Sequence, residues 1–416
     1  MNFELPNPKY GLDGLFCFAV AALLAWGLVM VASASVSVGE KLGGSSMFFF
    51  WRQLIFIAMG LVACTAMFSV PNDFWQKYRW ALLGIAILLL FTVAVIGVRV
   101  NGARRWLDIP GLFRLQASEP ARLAFIVWLA GHIVKKQVAL QTSLAGFLNP
   151  LLFLAPVLIF FLIEPDLGAT VILLAVSFLM LFLGGAPLLY LGGVATLAAG
   201  GVTLLILTVA YRMKRVLSFT NPWEDALGSG FQLTQSLIAV GRGEWFGVGL
   251  GNSVQKLMYL PEMHTDFIFA ILAEEFGLVG VLVLIALFAT VVWRGFRIGQ
   301  QAEQLDRRFA AYLCYGLSGW LGLQALINMA VNMGALPTKG LTLPLISYGG
   351  SSLVTVSLMI GLVLRVDYEN RLALAMLPKA RRTFTGKAVQ APTRAWTFRD
   401  LLTGAQTALR LRRSQP

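Results

Sequence analysis

Long apolar runs, each about the length needed to cross a bilayer, recur along almost the whole chain. The hydrocarbon core of a membrane is about 30 Å thick, which about 20 apolar residues in a helix can span. Of the 416 residues, 58% are hydrophobic and only 13% are charged, whereas a soluble domain carries about 25% charged residues. The sequence therefore predicts an all-α polytopic membrane protein and excludes an ordinary soluble enzyme.

Polar breaks divide the apolar sequence into ten predicted membrane-spanning helices. Their approximate bounds are 12–35, 50–70, 80–98, 120–134, 149–164, 167–184, 187–210, 266–293, 310–333 and 351–366. An even number of spans puts both termini on the same side of the membrane. We therefore expect a cytoplasmic segment 1–11, a ten-helix membrane domain 12–370 and a basic, flexible cytoplasmic tail 371–416.

Basic residues indicate which side of the membrane each loop faces. The tail carries ten Lys or Arg residues and one Asp, and basic segments next to a span favour the cytoplasm. Nucleic acid is the weaker explanation for this charge, and we expect no such partner. With both ends inside, the predicted loops 99–118, 211–265 and 334–350 lie outside. These loops also carry Arg and Lys, which an anionic ligand at that face would explain.

His264, Thr265 and Asp266 stand where the longest predicted loop enters the eighth span. Thr or Asp at such a position often caps the helix, and Asp also suits the positive end of the helix dipole. Alternatively, a carboxylate held at the outer surface can act as a general base on a hydroxyl nucleophile. The residues alone leave both explanations open, and the two are compatible because a capping Asp is held rigidly.

Glu274 and Glu275 follow inside the same apolar span. A charge at the bilayer centre costs about 2.5–3.5 kcal/mol on insertion scales, so neither side chain is expected to face lipid. If the helix is regular, Glu274 lies about 80° from Asp266 around the helix axis and Glu275 about 180°. Glu274 is therefore the candidate to share a cavity with Asp266. For both glutamates, ion pairs that fix the packing of the span are the structural alternative.

Several further residues are candidates to bind an anion at the outer face. Arginine forks match phosphate oxygens, a helix start binds anions through its N–H groups, and Trp anchors helices at the interface. The candidates are Arg104, Arg105, Trp106, Arg114, Lys339 and Ser351. The structural alternatives are an interfacial anchor for Trp106, a solvated loop lysine for Lys339 and a helix cap for Ser351.

Four stretches closely resemble the SEDS family of polytopic cell-wall glycosyltransferases. They are GARRWL with LQASEPARLA at 102–107 and 115–124, EPDLGA at 164–169, GLGNSVQKLMYLPEMHTDFIFAILAEE at 249–275 and LPTKGLTLPLISYGGSSL at 336–353. The resemblance covers about residues 12–370, and GNSVQKLMYLPE favours the cell-division branch of the family. Pro120 and Met263 are mild departures from the family pattern.

The resemblance implies a peptidoglycan polymerase that acts on lipid II, an undecaprenyl-diphosphate-linked disaccharide-pentapeptide. The essential aspartate and lysine of the family fall on Asp266 and Lys339. Its arginine-tryptophan pair falls on Arg105 and Trp106. The implied partners are a class B penicillin-binding transpeptidase and other divisome membrane proteins, at the septum of a bacterial inner membrane. A divalent cation, Mg²⁺ or Mn²⁺, is a candidate cofactor, with Asp266 as its candidate ligand.

The candidate residues suit such a reaction. A C4 hydroxyl displaces the diphosphate-lipid from a sugar C1, which needs a base on the hydroxyl and positive charge on the leaving group. Asp266 is the predicted base, while His264, Glu274 and Ser351 join the Arg, Trp and Lys candidates in the predicted substrate-binding set. A lipid II flippase and a non-catalytic division scaffold are the alternatives. A flippase needs polar residues through the full bilayer depth, whereas here they gather at the outer face.

Overall fold

The structure is a computed structural model that describes residues 11–100, 103–109, 113–208, 213, 219–228, 230–338 and 340–376. The chain divides into two units, Met1–Asn370 and Arg371–Pro416. The predicted tail from residue 377 onwards, most of the predicted N-terminal segment and Lys339 lie outside the described residues. The first unit contains the segments that carry the predicted site.

Helices make up nearly all of the regular structure. They are α1 (Gly14–Ala34), α2 (Val36–Gly43), α3 (Phe48–Ser69), α4 (Asn72–Ile96), α5 (Ser118–Thr142), α6 (Leu144–Ile163), α7 (Leu167–Leu183), α8 (Leu188–Leu207), α9 (Phe231–Arg242), α10 (Ile268–Gln304), α11 (Arg308–Asn332) and α12 (Gly350–Met376). Asp13, Ser143 and Asp166 immediately precede α1, α6 and α7 and are their N-caps. The side chain of each accepts a hydrogen bond from a backbone amide of the first turn, which stabilises the start of the helix.

Eight helices of the described chain are long and apolar enough to cross a membrane, namely α1, α3, α4, α5, α6, α10, α11 and α12. Two shorter apolar helices, Leu167–Leu183 and Leu188–Gly201, coincide with the predicted sixth and seventh spans. A helix satisfies its own backbone hydrogen bonds, which a lipid environment requires. The helical, multi-pass architecture is therefore confirmed, while the count of ten spans and their orientation stay predictions.

The start of α10 differs from the predicted start of the eighth span. The helix begins at Ile268, and Phe267 occupies the N-cap position without a side-chain capping bond. Thr265 and Asp266 therefore belong to the loop, and the prediction that one of them caps the helix is wrong. The side chain of Thr265 instead donates to the carboxylate of Glu262 at 2.6 Å.

The eighth span is also interrupted. At Gly277 the backbone of α10 has φ of 62° and ψ of −163°, a conformation essentially restricted to glycine. The nine residues before this break and the long segment after it are thus two helical pieces. The predicted angle between Asp266 and Glu274 fails for a separate reason, because Asp266 precedes the first residue of α10 and is not part of the helix.

The predicted outer loop 99–118 is largely a small antiparallel sheet, which the loop prediction did not include. Its strands β1 (Val98–Val100), β2 (Ala103–Ile109) and β3 (Phe113–Gln116) pair in the order β1-β2-β3. Trp106 pairs with Gln116, and Asp108 pairs with Arg114. Because successive side chains of a strand point to opposite faces, Arg105 lies on the opposite face from Trp106.

Other boundaries differ by smaller amounts. Helices α2 and α9 occupy parts of segments predicted as loops, and α4 begins eight residues before its predicted start. Helix α6 begins at Leu144 and accommodates Pro150 and Pro156 in its interior. Helix α5 continues to Thr142 through a kink at Lys136, so the basic pair that was predicted to end this span lies within it.

Helix α11 forms the centre of the described bundle, and it packs against α5, α7 and α10. Most of its side chains are buried, including Trp320. Because consecutive spans run in opposite directions, the starts of α5, α7, α10 and α12 meet the ends of α4, α6 and α11 at one end of the bundle. The small sheet lies at this same end, and so do the predicted site residues.

Candidate active site

The loop segment that enters α10 is fixed through its backbone. The carbonyl of His264 accepts a hydrogen bond from the amide of Tyr348 at 2.9 Å. The carbonyl of Thr265 accepts one from Ser347 Oγ at 2.6 Å, and the same Oγ accepts a bond from the amide of Leu343. The segment before α10 is thus joined to the segment before α12, although about 80 residues of sequence separate them.

Asp266 is half-buried, and its carbonyl is also held. The side-chain amides of Asn328 and Asn332 donate to this carbonyl at 2.9 and 3.1 Å. The carboxylate lies beside the loop before α12, because a Cβ built on Gly340 would be 3.2 Å from Asp266 Oδ2. The two longest motifs of the sequence therefore meet at Asp266. Lys339, the neighbour of Gly340 and the predicted diphosphate ligand, lies outside the described residues.

Polar side chains on one face of α11 were missed in the sequence analysis. Gln324, Asn328 and Asn332 are spaced four residues apart, which puts them on the same side of a helix. Gln324 donates to the carbonyl of Thr342 at 3.0 Å, and Asn328 donates to that of Leu341 at 2.5 Å. Three amides repeating at this spacing in an otherwise apolar span were the signal that could have identified them.

The imidazole of His264 is packed among aromatic rings. Its ring centroid lies 4.7 Å from that of Phe49 and 5.7 Å from that of Tyr348. Burial lowers the pKa of His264 below its ordinary value, and the nearby Glu262 opposes this shift. We therefore expect a neutral imidazole at pH 7, which packs against these rings and supplies no positive charge to the site.

Asp166 organises the turn between α6 and α7. One of its carboxylate oxygens accepts from the amide of Ala169 at 3.0 Å, and the other accepts from Gln116 Nε2 and Ser118 Oγ, both at 3.0 Å. Only 5% of Asp166 is exposed. The EPDLGA turn is therefore joined to the end of the small sheet and to the start of α5.

Arg105 reaches this turn from the sheet. Its guanidinium donates to the carbonyls of Glu164 and Pro165 at 2.8 and 2.7 Å. Both carboxylate oxygens of Glu164 are buried and find no hydrogen-bond partner among the described residues. Burial and the carboxylate of Asp166 raise the pKa of Glu164 to about 8, against a smaller opposing effect of Arg105. Glu164 is therefore mostly protonated at pH 7, and Arg105 is the positive charge of this turn.

The other residues of the predicted basic group lie elsewhere on the sheet. Arg104 is exposed and donates to the carbonyl of Val95 at 3.1 Å, at the end of α4. Arg114 pairs with Asp108 at 2.9 Å, and both side chains are about half-exposed. Trp106 is half-buried. Within the predicted group, Arg105 is thus the residue that the structure brings to the EPDLGA turn.

Ser351 connects the start of α12 to the sheet. Its hydroxyl accepts a hydrogen bond from the amide of Gln116 at 3.1 Å. The next residue, Ser352, bonds to the hydroxyl of Thr342 at 3.0 Å. Since Gln116 also binds Asp166, the serine belongs to a continuous hydrogen-bonded group that includes strand β3, the α6–α7 turn and the start of α12.

Glu274, a predicted substrate-binding residue, is fully buried and holds the preceding loop. Its carboxylate accepts from Ser253 Oγ, from the amide of Val254 at 3.1 Å and from the amide of Gln255 at 3.4 Å. Arg242 also pairs with it at 3.2 Å. These contacts match the structural alternative, an ion pair that fixes packing, and they direct the carboxylate towards loop 242–255.

Glu275 makes the second buried ion pair of this region. Lys256 Nζ lies 3.0 Å from its carboxylate, and both residues are less than 10% exposed. Ser33 at the end of α1 donates to the same carboxylate at 2.7 Å. The two glutamates therefore attach one loop to α10 and α1, and each uses a separate basic partner.

No group of three His, Cys, Asp or Glu side chains arranged to hold a metal ion occurs within the described ranges. A Mg²⁺ ion is often bound by one or two carboxylates together with substrate phosphates. Asp266, near the loop that contains Lys339, would fit that kind of shared site. Residues of the described part alone do not form a complete one.

Comparison with known proteins identifies the family. The sequence model of the family described as "Cell cycle protein" matches residues 14–372. The chain therefore belongs to this family, the SEDS proteins that its motifs resemble.

Among curated relatives, the probable peptidoglycan glycosyltransferase FtsW of Thioalkalivibrio sulfidiphilus is 49% identical over 360 residues, or 86% of this chain and 90% of that relative. The protein of the same description from Aliivibrio salmonicida is 45% identical over 373 residues, or 90% and 93%.

Solved structures have the same fold. A chain from a peptidoglycan synthase complex that coordinates polymerization and crosslinking superposes with a TM-score of 0.70 at 30% identity, covering 87% of this chain and 98% of that one. The rod shape determining protein RodA of Thermus thermophilus gives 0.65 at 28% identity, with the same coverage. The resemblance predicted from the motifs, including its cell-division branch, is thus confirmed.

Proposed function

We propose that this chain is a peptidoglycan glycosyltransferase that joins lipid II disaccharide units by β-1,4 links during septal cell-wall synthesis. The names of its relatives and the activity of the synthase complex that it resembles support this assignment. The observation that carries it is the position of Asp266. Its backbone is fixed by two asparagines, and its carboxylate lies beside the loop that contains the second long family motif.

In this proposal, Asp266 accepts the proton of the acceptor C4 hydroxyl. A general base must be held within hydrogen-bond reach of that proton, and a carboxylate fixed through its own backbone meets that need. As the C4 oxygen bonds to the donor sugar C1, the bond from C1 to the diphosphate breaks, and the lipid diphosphate leaves with the electron pair. The configuration at C1 is inverted from α to β.

The departing diphosphate needs positive charge. Arg105 is the strongest described candidate, because its guanidinium donates only to backbone carbonyls among the residues that the structure describes. Arg114 is weaker because Asp108 already balances its charge. Lys339 remains a proposed ligand from the family motif, and Arg104, Trp106, His264, Glu274 and Ser351 complete the proposed set. A divalent cation bound at Asp266 would supply further positive charge to the diphosphate.

The proposed setting is a bacterial inner membrane at the division septum. Ten spans with both termini in the cytoplasm would put Asp266 and the small sheet on the outer side, where cell wall is made. A class B penicillin-binding transpeptidase is the proposed partner, since the similar synthase complex couples polymerization with crosslinking. Other divisome membrane proteins are proposed as further partners.

The test is polymerisation of labelled lipid II by the purified full-length chain, with and without its transpeptidase partner. Strand length is measured by gel electrophoresis. We expect long glycan strands from the wild type, and a loss of about 10² to 10⁴-fold for Asp266→Asn if the carboxylate is the general base. Lys339→Ala should also be impaired. Asp306→Asn, an exposed acid at the other end of the bundle, is the matched control.

Two outcomes would contradict the proposal. Wild-type rates in Asp266→Asn would remove the general-base role. Translocation of lipid II by reconstituted vesicles, with no polymer formed under any partner condition, would favour a flippase instead.

A further inference from the structure

A loop is inserted into the break of α10. The amides of Val248 and Gly249 donate to the carbonyls of Glu274 and Glu275 at 3.0 and 3.1 Å. Beyond the break, the amides of Leu278 and Val279 donate to the carbonyls of Glu244 and Trp245 at 2.9 and 3.1 Å. Four backbone hydrogen bonds therefore set the height of residues 244–249 along the helix.

Glycines allow this close fit. A Cβ on Gly243 would overlap the carbonyl oxygen of Ala273, and a Cβ on Gly247 would overlap that of Glu275. A Cβ on Gly277 would in turn meet the backbone of the inserted loop. The loop is thus packed backbone to backbone against the helix, so its height relative to α10 is fixed.

The break lies where lipid-facing surface begins. Every side chain from Ile268 to Glu275 is buried. After the break, apolar side chains are exposed down to Trp293, including Leu278, Val279 and Leu282 at 40%, 44% and 55%. An apolar helix surface that is exposed in a membrane protein faces lipid.

Length supports the same conclusion. The 18 residues from Gly277 to Arg294 are separated by 17 helical steps of about 1.5 Å, a rise of about 26 Å. This is close to the roughly 30 Å of a hydrocarbon core. Trp293, stacked near Arg294 with 5.3 Å between the guanidinium carbon and the ring centroid, marks one interface. The break at Gly277 therefore lies near the other.

Large apolar side chains project from the inserted loop at this height. Trp245 is 66% exposed, Phe246 is 80% exposed and Leu250 is 53% exposed. The carbonyl of Trp245 is bonded to Val279, so these side chains continue the lipid-facing surface of α10. Trp and other aromatic residues are favoured at the boundary between headgroups and hydrocarbon.

We propose that Trp245, Phe246 and Leu250 insert into the membrane interface and form a lipid-contacting anchor. These three side chains contact the bilayer itself, because they continue the exposed apolar face of α10 and lie near the membrane interface at Gly277. The anchor fixes the height of the loop that Arg242, Ser253 and Lys256 attach to the glutamates. This anchoring role is separate from the proposed glycosyltransferase reaction and does not depend on it.

Depth measurement by spin labelling tests the anchor directly. Single cysteines are introduced as Phe246→Cys, Leu282→Cys and Glu262→Cys in the full chain after its three native cysteines are replaced by serine. Each protein is labelled with a nitroxide and reconstituted in phosphatidylethanolamine–phosphatidylglycerol vesicles. The ratio of oxygen accessibility to Ni(II)-chelate accessibility then reports depth. Unchanged melting temperatures in detergent verify that the variants are folded.

We expect the highest ratio at position 282, an intermediate ratio at 246 and the lowest at 262, with 246 several-fold above 262. A ratio at 246 equal to that at 262 would overturn the anchor. A label at 246 that is water-accessible in the chain alone, and becomes protected only when the transpeptidase is added, would also overturn it and would identify a protein contact instead. None of these outcomes depends on lipid II polymerisation.

Discussion

Asp266 and Glu369 are acids at opposite ends of the same helical bundle, and they are held in different ways. Glu369 pairs with Arg307 and with Arg365, and it accepts two hydrogen bonds from Asn72. Its charge joins the starts of α4 and α11 to the end of α12. Asp266 is instead held through its backbone carbonyl by two neutral amides.

The difference shows how a membrane protein can separate structural acids from reactive ones. A buried carboxylate with two arginines gains hydrogen bonds and Coulomb energy, and removing one partner leaves a costly buried charge. Asp266 is positioned through its main-chain carbonyl, and its carboxylate lies beside the loop before α12. Acid-to-amide substitutions at the two positions should therefore have opposite effects.

Asp266→Asn should give the largest functional loss. Removing a general base typically lowers a rate by about 10² to 10⁴-fold, while the carbonyl that Asn328 and Asn332 bind is unchanged. We expect the melting temperature in detergent to stay at the wild-type value while single-turnover polymerisation nearly disappears. A large drop in melting temperature would show that the carboxylate is structural, like Glu369.

Glu369→Gln should have the reverse effect. It leaves Arg307 and Arg365 without a counter-charge in a largely buried position, which typically costs about 3–5 kcal/mol of stability. Thermal unfolding in detergent should move to lower temperature, while the rate per folded molecule is retained. Asp306→Asn, which removes an exposed pair with Arg308, should change stability little. A Glu369→Gln protein with normal stability would remove the contrast.

Asn328→Ala tests whether the backbone contact positions Asp266. It removes the donor to the carbonyls of Asp266 and Leu341, and an unsatisfied buried acceptor costs about 1–3 kcal/mol. We expect about a tenfold lower polymerisation rate, with unchanged dependence on lipid II concentration. The exposed Asn252 provides the control substitution, Asn252→Ala, which should leave the rate intact.

The effect of Glu164 should be visible only through the pH dependence of stability. Its pKa is raised to about 8, so the folded protein binds a proton that the unfolded chain releases near pH 4.3. Stability from this group therefore falls as pH rises towards 8 and levels off above it. Glu164→Gln should flatten the decline in melting temperature between pH 6 and 8. An identical pH profile in both proteins would contradict a protonated Glu164.

Much of the bundle could be predicted because lipid imposes simple rules. Apolar length located the long helices, and most of their starts were predicted to within two residues, whereas α5, α10 and α12 end eight or more residues beyond their predicted ends. The wrong-sided arginines pointed to the end of the bundle where Asp266 lies. The sheet at 98–116 was missed because its strands are short and its charged residues were interpreted only as ligands. Strand alternation, which separates Arg105 from Trp106, needs the pairing register to be known.

The break at Gly277 was beyond pattern analysis for a different reason. An isolated glycine within an apolar run is usually tolerated inside a helix, so its presence does not predict a break. Its left-handed backbone exists because the loop around Gly243 and Gly247 supplies replacement hydrogen bonds. The pairing of Glu274 with Arg242, and of Glu275 with Lys256, is likewise a long-range choice among several basic residues.

The three consecutive carbonyls at 264–266 have a consequence for biosynthesis. The bonds that fill the α10 break join residues about 30 apart, so they can form soon after α10 leaves the ribosome. The bonds to His264, Thr265 and Asp266 come from α11 and from Ser347 and Tyr348. A nascent chain can therefore assemble its interfacial loop early, but it cannot complete the surroundings of Asp266 until residue 348 has been translated.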